Sequence, residues 1–215
     1  MKRILFAAVI LLACSVTAFA QQTWFCSEPG KKLYYVAKDA NGKASGDGFH
    51  YVIKDVTTDG GKTTIQFDAI VFGKNGPAED PVGCKVWTAD GYYHTDVRSA
   101  LGQYGSAFSA KGHGPIIPEN LKVGQELENS TITIEALATT ADYSNVRVTK
   151  HEEITTDAGT FDCWCIEYTV NAKVAIIKTE TSTEMWIAKG VGVVREITKD
   201  KKGKVTKITE LSKIE

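Results

Sequence analysis

The chain lacks the features that would place it among membrane-spanning or nucleic-acid-binding proteins. After residues 1–20 it has no apolar run long enough to cross a bilayer. Its formal net charge is −1, and no lysine- or arginine-rich patch indicates a nucleic-acid partner. It also has no repeat of fixed period and no low-complexity segment. We therefore predict neither an integral membrane segment nor nucleic-acid binding.

Motifs for catalysis, metals and cofactors are missing as well. The four histidines have no zinc-ligand spacing. The sequence contains no Gly-x-Ser-x-Gly elbow, no Gly-x-Gly-x-x-Gly loop and no Walker-type loop. Asp39–Lys43 begins like a calcium loop, but Lys43 stands where an acidic ligand is needed, so a β-turn is favoured. We therefore predict a non-enzymatic protein with no metal and no cofactor.

What the sequence does contain is an export signal at its start. The basic Met1–Arg3 precedes the apolar run Ile4–Ala13, and Ala18–Ala20 forms a small-x-small cleavage site. This pattern predicts a signal peptide over residues 1–20, cleaved after Ala20, and a periplasmic or secreted protein. The remaining residues, 21–215, are expected to form a single domain.

A lipoprotein signal is the alternative at the same end. Leu11–Cys14 resembles a bacterial lipoprotein cleavage motif, in which Cys14 would carry the lipid. The apolar character continues through Val16–Phe19 instead of giving way to a polar tether, which favours conventional cleavage.

The cysteines of the mature chain predict disulfides. They are even in number, and an exported protein meets an oxidising compartment. They are Cys26, Cys84, Cys163 and Cys165. On a strand, Cys163 and Cys165 would be about 6.6 Å apart along the chain, too far to bridge each other readily. Four cysteines allow three pairings. Among these we expect Cys163 and Cys165 each to reach a different partner, with a Cys-x-Cys metal or redox site as the alternative.

Short β-rich runs separated by turn residues predict a mainly β fold. The runs contain alternating apolar and polar residues, with Gly, Asp and Asn between them. The expected strands are Lys32–Lys38, Gly48–Val56, Thr63–Phe72, Cys84–Thr88, Tyr92–His94, Ser130–Thr139, Ser144–Thr156, Gly159–Val170, Lys178–Ala188, Val193–Lys199 and Val205–Ser212. Asp96–Phe108 has helical spacing, and Lys111–Glu126 reads as an irregular connector. The pattern indicates one curved antiparallel sheet with one or two short helices.

Four stretches carry a family resemblance. They occur in the same order as in the family and are Gly91–Val97, Pro118–Leu127, Thr156–Cys163 and Met185–Arg195. Together they resemble the TapB-like exported bacterial proteins of unknown function, related to a periplasmic domain whose fold is similar to the LolA lipoprotein carrier. Cys165 departs from the family pattern. The resemblance implies a strongly curved half-barrel and assigns no catalytic residue.

Two functions follow from that implied shape. The first is a structural or protein-interaction module whose hollow is filled by the segment from Val97 to Leu127. The second is a carrier that shelters an apolar, acyl-chain-like molecule in the concave face. The partner would be an envelope protein in the first case and an apolar small molecule in the second. Candidate lining residues are Trp87, Trp164, Trp186, Leu101, Tyr104 and Phe108.

Overall fold

The computed structural model describes residues 23–73, 76–77, 80–97, 110–135 and 138–215. In these ranges the chain forms a 14-stranded sheet in which every named pair of strands is antiparallel. The first seven strands are β1 (Lys32–Lys38), β2 (Ala44–Asp59), β3 (Lys62–Gly73), β4 (Gly76–Pro77), β5 (Val82–Ala89), β6 (Tyr92–Thr95) and β7 (Lys111–Gly112). The other seven are β8 (Ile117–Pro118), β9 (Ser130–Ile134), β10 (Thr139–Thr156), β11 (Gly159–Val174), β12 (Ile177–Ala188), β13 (Gly192–Asp200) and β14 (Val205–Ile214).

The order of the strands places β1 next to β14. It runs β7-β9-β10-β11-β12-β13-β14-β1-β2-β3-β5-β6-β8, and β4 pairs with β3. Most neighbours in the sheet are also near neighbours in sequence, but β1 pairs with β14, placing Tyr35 opposite Leu211. In the described residues β7 and β8, at the two ends of this order, do not pair with each other, so the sheet is not closed.

The predicted mainly β fold is confirmed, including one large antiparallel sheet. Lys32–Lys38 is a strand with the expected bounds, and the other expected strands begin or end a few residues away from the prediction. The exception is Ser130–Thr139, which is divided between β9 and β10 by a turn with Ala138 at φ 45°. The expected helix Asp96–Phe108 falls largely on residues 98–109, outside the described residues. Strong curvature and a LolA-like shape stay predictions.

The larger hydrophobic core lies against one face of this sheet. Alternate residues of a strand point to the same face, so Leu33 and Tyr35 of β1 lie on the core side together. Both are almost fully buried. Ile65 and Phe67 of β3 pack into the same core, as do Val148 and Ile166 from the other half of the sheet. This core therefore joins strands from both halves of the strand order.

A second, smaller core lies on the opposite face, where strands β10 to β13 meet. It contains Cys163, Cys165, Trp186 and Val194, all with at most 4 % of their surface exposed. Trp186 lies opposite Cys165 in the register of β11 and β12. Its indole Nε1 donates to Glu152 Oε1 at 2.9 Å. The strand carrying the two cysteines is therefore covered on both faces.

Two hairpins connect the strands in this region. The turn between β12 and β13 contains Gly190 at φ 71°, and β13 opens with Gly192 at φ 111°. Both values lie where glycine is favoured, as expected for this hairpin. The turn between β11 and β12 instead projects apolar side chains into solvent. Ile176 is 93 % exposed and Ile177 is 64 % exposed.

Candidate functional site

A cavity of about 430 Å³ lies on the core side of the sheet. Its lining residues come from strands across the sheet, from Tyr143 on β10 to Tyr93 on β6 and Ile117 on β8. Its volume falls in the range of small-molecule pockets, which runs from roughly 300 to 1,000 Å³. This cavity is the best candidate for a functional site.

Aromatic rings form a large part of the cavity wall. Phe49 and Tyr51 are two residues apart on β2 and therefore share its inner face. Phe49 stacks on Tyr35 with ring centroids 4.7 Å apart, and Tyr51 meets Phe67 edge-on at 4.8 Å. Such pairs stabilise by about 0.5–1.5 kcal/mol beyond their buried area. The wall is thus pre-formed by packing between neighbouring strands.

The tyrosines of the wall are neutral. Burial raises the pKa of Tyr35, Tyr51, Tyr93 and Tyr168 above the ordinary value for a phenol. The hydroxyl of Tyr35 is buried and has no hydrogen-bond partner in the described part of the chain. The phenols therefore act as polarisable apolar surface and as neutral hydrogen-bonding groups, and none is suited to act as a base at neutral pH.

The segment before β1 lines the cavity next to the β12–β13 turn. Trp24 and Phe25 line the cavity, and Trp24 Nε1 donates to the carbonyl oxygen of Pro118 at 2.8 Å. The backbone N–H of Gly190 donates to the carbonyl oxygen of Thr23 at 2.7 Å. A Cβ on Gly192 would approach the Phe25 ring to 3.1 Å. The β12–β13 hairpin thus holds Trp24 and Phe25 in place, which makes it a scaffold element.

Six of the polar lining side chains lie at one part of the wall, on β12, β13 and β14, whereas Thr95 lies on β6. The six are Thr181, Thr183, Glu196, Thr198, Lys207 and Thr209. Glu196 is the only carboxylate among the described lining residues, and it is half-buried. Burial raises its pKa, although the nearby Lys207 acts in the opposite direction. The cavity therefore has an aromatic part and a polar part.

The three predicted tryptophans lie elsewhere, and none lines this cavity. Trp87 is next to the lining residue Val86 on β5 and points to the other face, where it stacks on His94 at 5.2 Å. Trp164 stacks on His151 at 4.0 Å. Trp186 belongs to the smaller core.

The other predicted lining residues, Leu101, Tyr104 and Phe108, lie outside the described residues. Pro115 and Ile117, which belong to the proposed covering segment Val97 to Leu127, do line the cavity. The residues that sequence reasoning missed include Trp24, Tyr35, Tyr51 and Glu196. The alternation of Leu33 with Tyr35 and of Phe49 with Tyr51 is the signal that could have identified the aromatic wall.

The predicted disulfides are not confirmed, because all four described cysteines are free and buried. Cys26 and Cys84 lie in the larger core, and Cys163 and Cys165 lie side by side along β11 in the smaller one. Burial raises the pKa of Cys163 to about 12 and raises the pKa values of Cys26 and Cys165 as well. These thiols therefore behave as small apolar side chains.

The described residues provide neither a metal centre nor a membrane-spanning helix. They contain no group of three or more His, Cys, Asp or Glu side chains placed to hold a metal ion. They also contain no helix with the length and apolar character required to cross a membrane.

Known proteins share this fold at low sequence identity. A candidate exported protein with a YmcC-like fold from Bacteroides fragilis superposes with a TM-score of 0.76 at 14% identity, over 90% of this chain and 99% of that one. A candidate lipoprotein from Parabacteroides distasonis gives a TM-score of 0.75 at 18% identity, with coverage of 90% and 99%. These identities establish a common fold only.

Sequence comparison identifies the family. No curated protein matches the chain. The more specific resemblances to TapB-like proteins and to LolA are not confirmed by any of the comparisons. The DUF3108-like family model matches residues 28–211, so this chain belongs to the DUF3108-like family.

Proposed function

We propose that this protein is a non-enzymatic binding protein of the cell envelope that holds an apolar ligand in the aromatic cavity. The cavity of about 430 Å³ is the observation that carries the proposal. Aromatic walls with a few polar groups are typical of sites for small apolar molecules. When such a cavity is empty, its apolar surface stays in contact with water. This costs about 25 cal/mol of free energy per Å² of apolar surface compared with burying it.

The composition of the lining supports binding over catalysis. The described lining residues include no histidine or cysteine, and Glu196 is their only carboxylate. A serine, threonine or cysteine nucleophile is usually activated by an adjacent base such as histidine, and the described lining residues include no histidine for that role. The lining offers surface for a ligand instead.

The proposed location and shape rest on separate observations. The sequence of residues 1–20 has the form of a signal peptide, and proteins of the same fold include a candidate exported protein and a candidate lipoprotein. Residues from β10, β6 and β8 line one cavity, as expected if the sheet curves strongly into a half-barrel.

An envelope interaction module is the second candidate function, and one feature favours it. The β11–β12 turn exposes Val174, Ile176 and Ile177 by 52 %, 93 % and 64 %. Exposed apolar side chains grouped on a projecting turn are typical of contact surfaces. In that case the cavity would be filled by the protein itself.

Titration with an apolar fluorescent probe tests the binding function. The protein is purified from the periplasm of an expression host and delipidated, and saturable binding that fatty alcohols compete away is expected. Val170→Trp should block binding, because Val170 lines the cavity. Thr169→Trp is the matched control, since Thr169 is the next residue of β11 and points to the opposite face.

The two candidate functions give different results in this experiment. Absence of probe binding to the folded, delipidated wild type would refute the carrier and leave the interaction module. Equal loss of binding in both tryptophan variants would also contradict the assignment of the cavity, since only the side chain at position 170 enters the cavity. Circular dichroism melting curves verify that both variants are folded.

A further inference from the structure

The polarity of the cavity wall changes along the strands β12 and β13. Next to the turn, Ile187 lies opposite Val193, and both line the cavity. The next inward-facing pair is Met185 and Glu196, and the pair beyond it is Thr183 and Thr198. The wall thus passes from aliphatic to polar over three successive pairs, which suits a ligand with an apolar body and a polar head.

Glu196 is a carboxylate of this polar part that lacks a hydrogen-bonding partner among the described residues. It makes no hydrogen bond and no ion pair with the residues the structure describes. The groups that face it are Lys207 from β14 and the phenols of Tyr51, Tyr143 and Tyr168 from β2, β10 and β11. A half-buried carboxylate that lacks a partner is costly to keep ionised.

Another glutamate of the same sheet does have hydrogen-bonding and ion-pair partners, and it serves as a comparison. Glu210 lies on β14 and is 8 % exposed. Its Oε1 accepts a hydrogen bond from Arg195 Nε at 2.6 Å, and its Oε2 pairs with Lys38. In the described residues no cation forms a hydrogen bond or ion pair with Glu196, and Lys207 acts on it only from a distance, so a cation brought by a ligand could make the direct contact that Glu210 has.

We propose that the ligand is an amphiphile with a cationic amine head, which binds with its chain among the aromatic rings and its ammonium group against Glu196. This inference rests on the proposed binding function and specifies the class of ligand. The hydroxyls of Thr198 and Thr209 line the same part of the wall and offer further acceptors for ammonium N–H groups.

The alternative is a ligand with an anionic head group held by Lys207. The solvent exposure of Lys207 argues against it. Lys207 is exposed, so water and salt screen its charge, whereas Glu196 is half-buried and would repel an anion at short range. Charge selection in this cavity is therefore set by the carboxylate.

Three probes with the same chain test the proposal by calorimetric titration of the delipidated protein: decylamine, decanol and decanoate. Wild type should bind decylamine at least about tenfold more tightly than decanol, a difference of about 1.4 kcal/mol. Glu196→Gln should remove this preference, because it weakens decylamine binding far more than decanol binding. Glu180→Gln is the matched control, because Glu180 is exposed on β12 and points away from the cavity.

The pH dependence gives a second readout. Decylamine stays cationic below neutral pH, so its advantage over decanol should fall as Glu196 becomes protonated, while decanol binding stays constant. In Glu196→Gln neither affinity should change with pH over this range.

The outcomes separate this inference from the proposed function. If none of the probes binds, the binding function itself fails. If all three bind equally and Glu196→Gln changes nothing, the cavity binds apolar chains but the amine inference is overturned. If decanoate binds most tightly of the three, the amine inference is also overturned, and an anionic head group held by Lys207 is favoured instead.

Discussion

Two glutamates in adjacent strands of this sheet illustrate how the surroundings of one residue type decide its effect on stability. Glu196 faces the aromatic cavity and lacks a partner, and burial raises its pKa. Glu210 lies on the opposite face of the sheet, away from the cavity. Burial alone would raise its pKa, but hydrogen bonds from Lys38 and Arg195 outweigh that effect and lower the pKa. Replacing each by glutamine should therefore have opposite effects.

We expect Glu196→Gln to increase the free energy of unfolding at neutral pH. A carboxyl whose pKa is raised on folding destabilises the folded state once pH exceeds its unfolded pKa, because the folded state holds the proton more tightly. The stability gain of the variant should therefore shrink as pH falls towards about 4.3, the ordinary value for glutamate. Urea unfolding of wild type and variant at several pH values measures this. A variant less stable than wild type at neutral pH would contradict the unpaired state of Glu196.

Glu210→Gln should instead destabilise, by roughly 1.5–3 kcal/mol at neutral pH, the range for hydrogen bonds to charged groups. Its folded pKa is lowered, so its contribution is present above the unfolded pKa and is lost as pH falls through the folded pKa. The same urea experiment tests it, and the difference from wild type should diminish in acid.

The buried thiols make a prediction about reactivity. A thiol reagent attacks the thiolate, and burial both raises the pKa of Cys163 to about 12 and blocks access. The folded protein should therefore react slowly at the four described cysteines and rapidly at all of them after denaturation without reductant. Fewer than four reactive thiols after denaturation would show that disulfides form, as the sequence alone had indicated.

At the scale of elements, the β12–β13 hairpin links backbone conformation to the cavity. Gly190 and Gly192 both have positive φ, but only at Gly192 would a Cβ meet a neighbour, the ring of Phe25 at 3.1 Å. Gly190→Ala should cost about 1 kcal/mol from backbone strain. Gly192→Ala should cost more than this, because Phe25 must also move.

Melting curves of the two alanine variants measure that difference, and probe binding provides a second comparison. Gly192→Ala should weaken probe binding through displacement of Phe25, whereas Gly190→Ala should not. Equal effects of the two substitutions on both measurements would argue against contact between the hairpin and the cavity wall.

The strands were largely predictable from sequence because alternation of apolar and polar residues persists along each one. Their pairing was not, because nothing local to Lys32–Lys38 indicates that its neighbour is Val205–Ile214. The cavity depends on that pairing. Tyr35 and Thr209 become parts of one wall only through a contact between distant segments. Tryptophans were expected in the cavity because aromatic side chains suit a concave face that packs apolar material, yet Trp87 and Trp186 lie on the opposite face because of their register in β5 and β12.

At the scale of the whole molecule, the strand order predicts which backbone amides are protected most. β14 and β1 lie in the interior of the sheet order, with strands on both sides, whereas β7 and β8 are its short ends. Amide exchange is slowest where opening requires disruption of the whole core. In hydrogen–deuterium exchange followed by mass spectrometry, peptides from β1 and β14 should exchange last and together. Exchange of β14 well before β10 and β11 would contradict a single cooperative sheet.

The pairing of β1 with β14 also sets the order in which the molecule can be built. During synthesis β1 leaves the ribosome long before its partner Val205–Ile214, which lies far later in the chain. Until that strand arrives, β1 and β13 are open edges, and open edges are prone to pair with other chains. Closing so long a loop also slows folding relative to proteins dominated by local contacts. The strands on the two sides of the β1–β14 contact can therefore be joined into one sheet only after β14 has been translated, and a chain interrupted before residue 205 cannot form this contact.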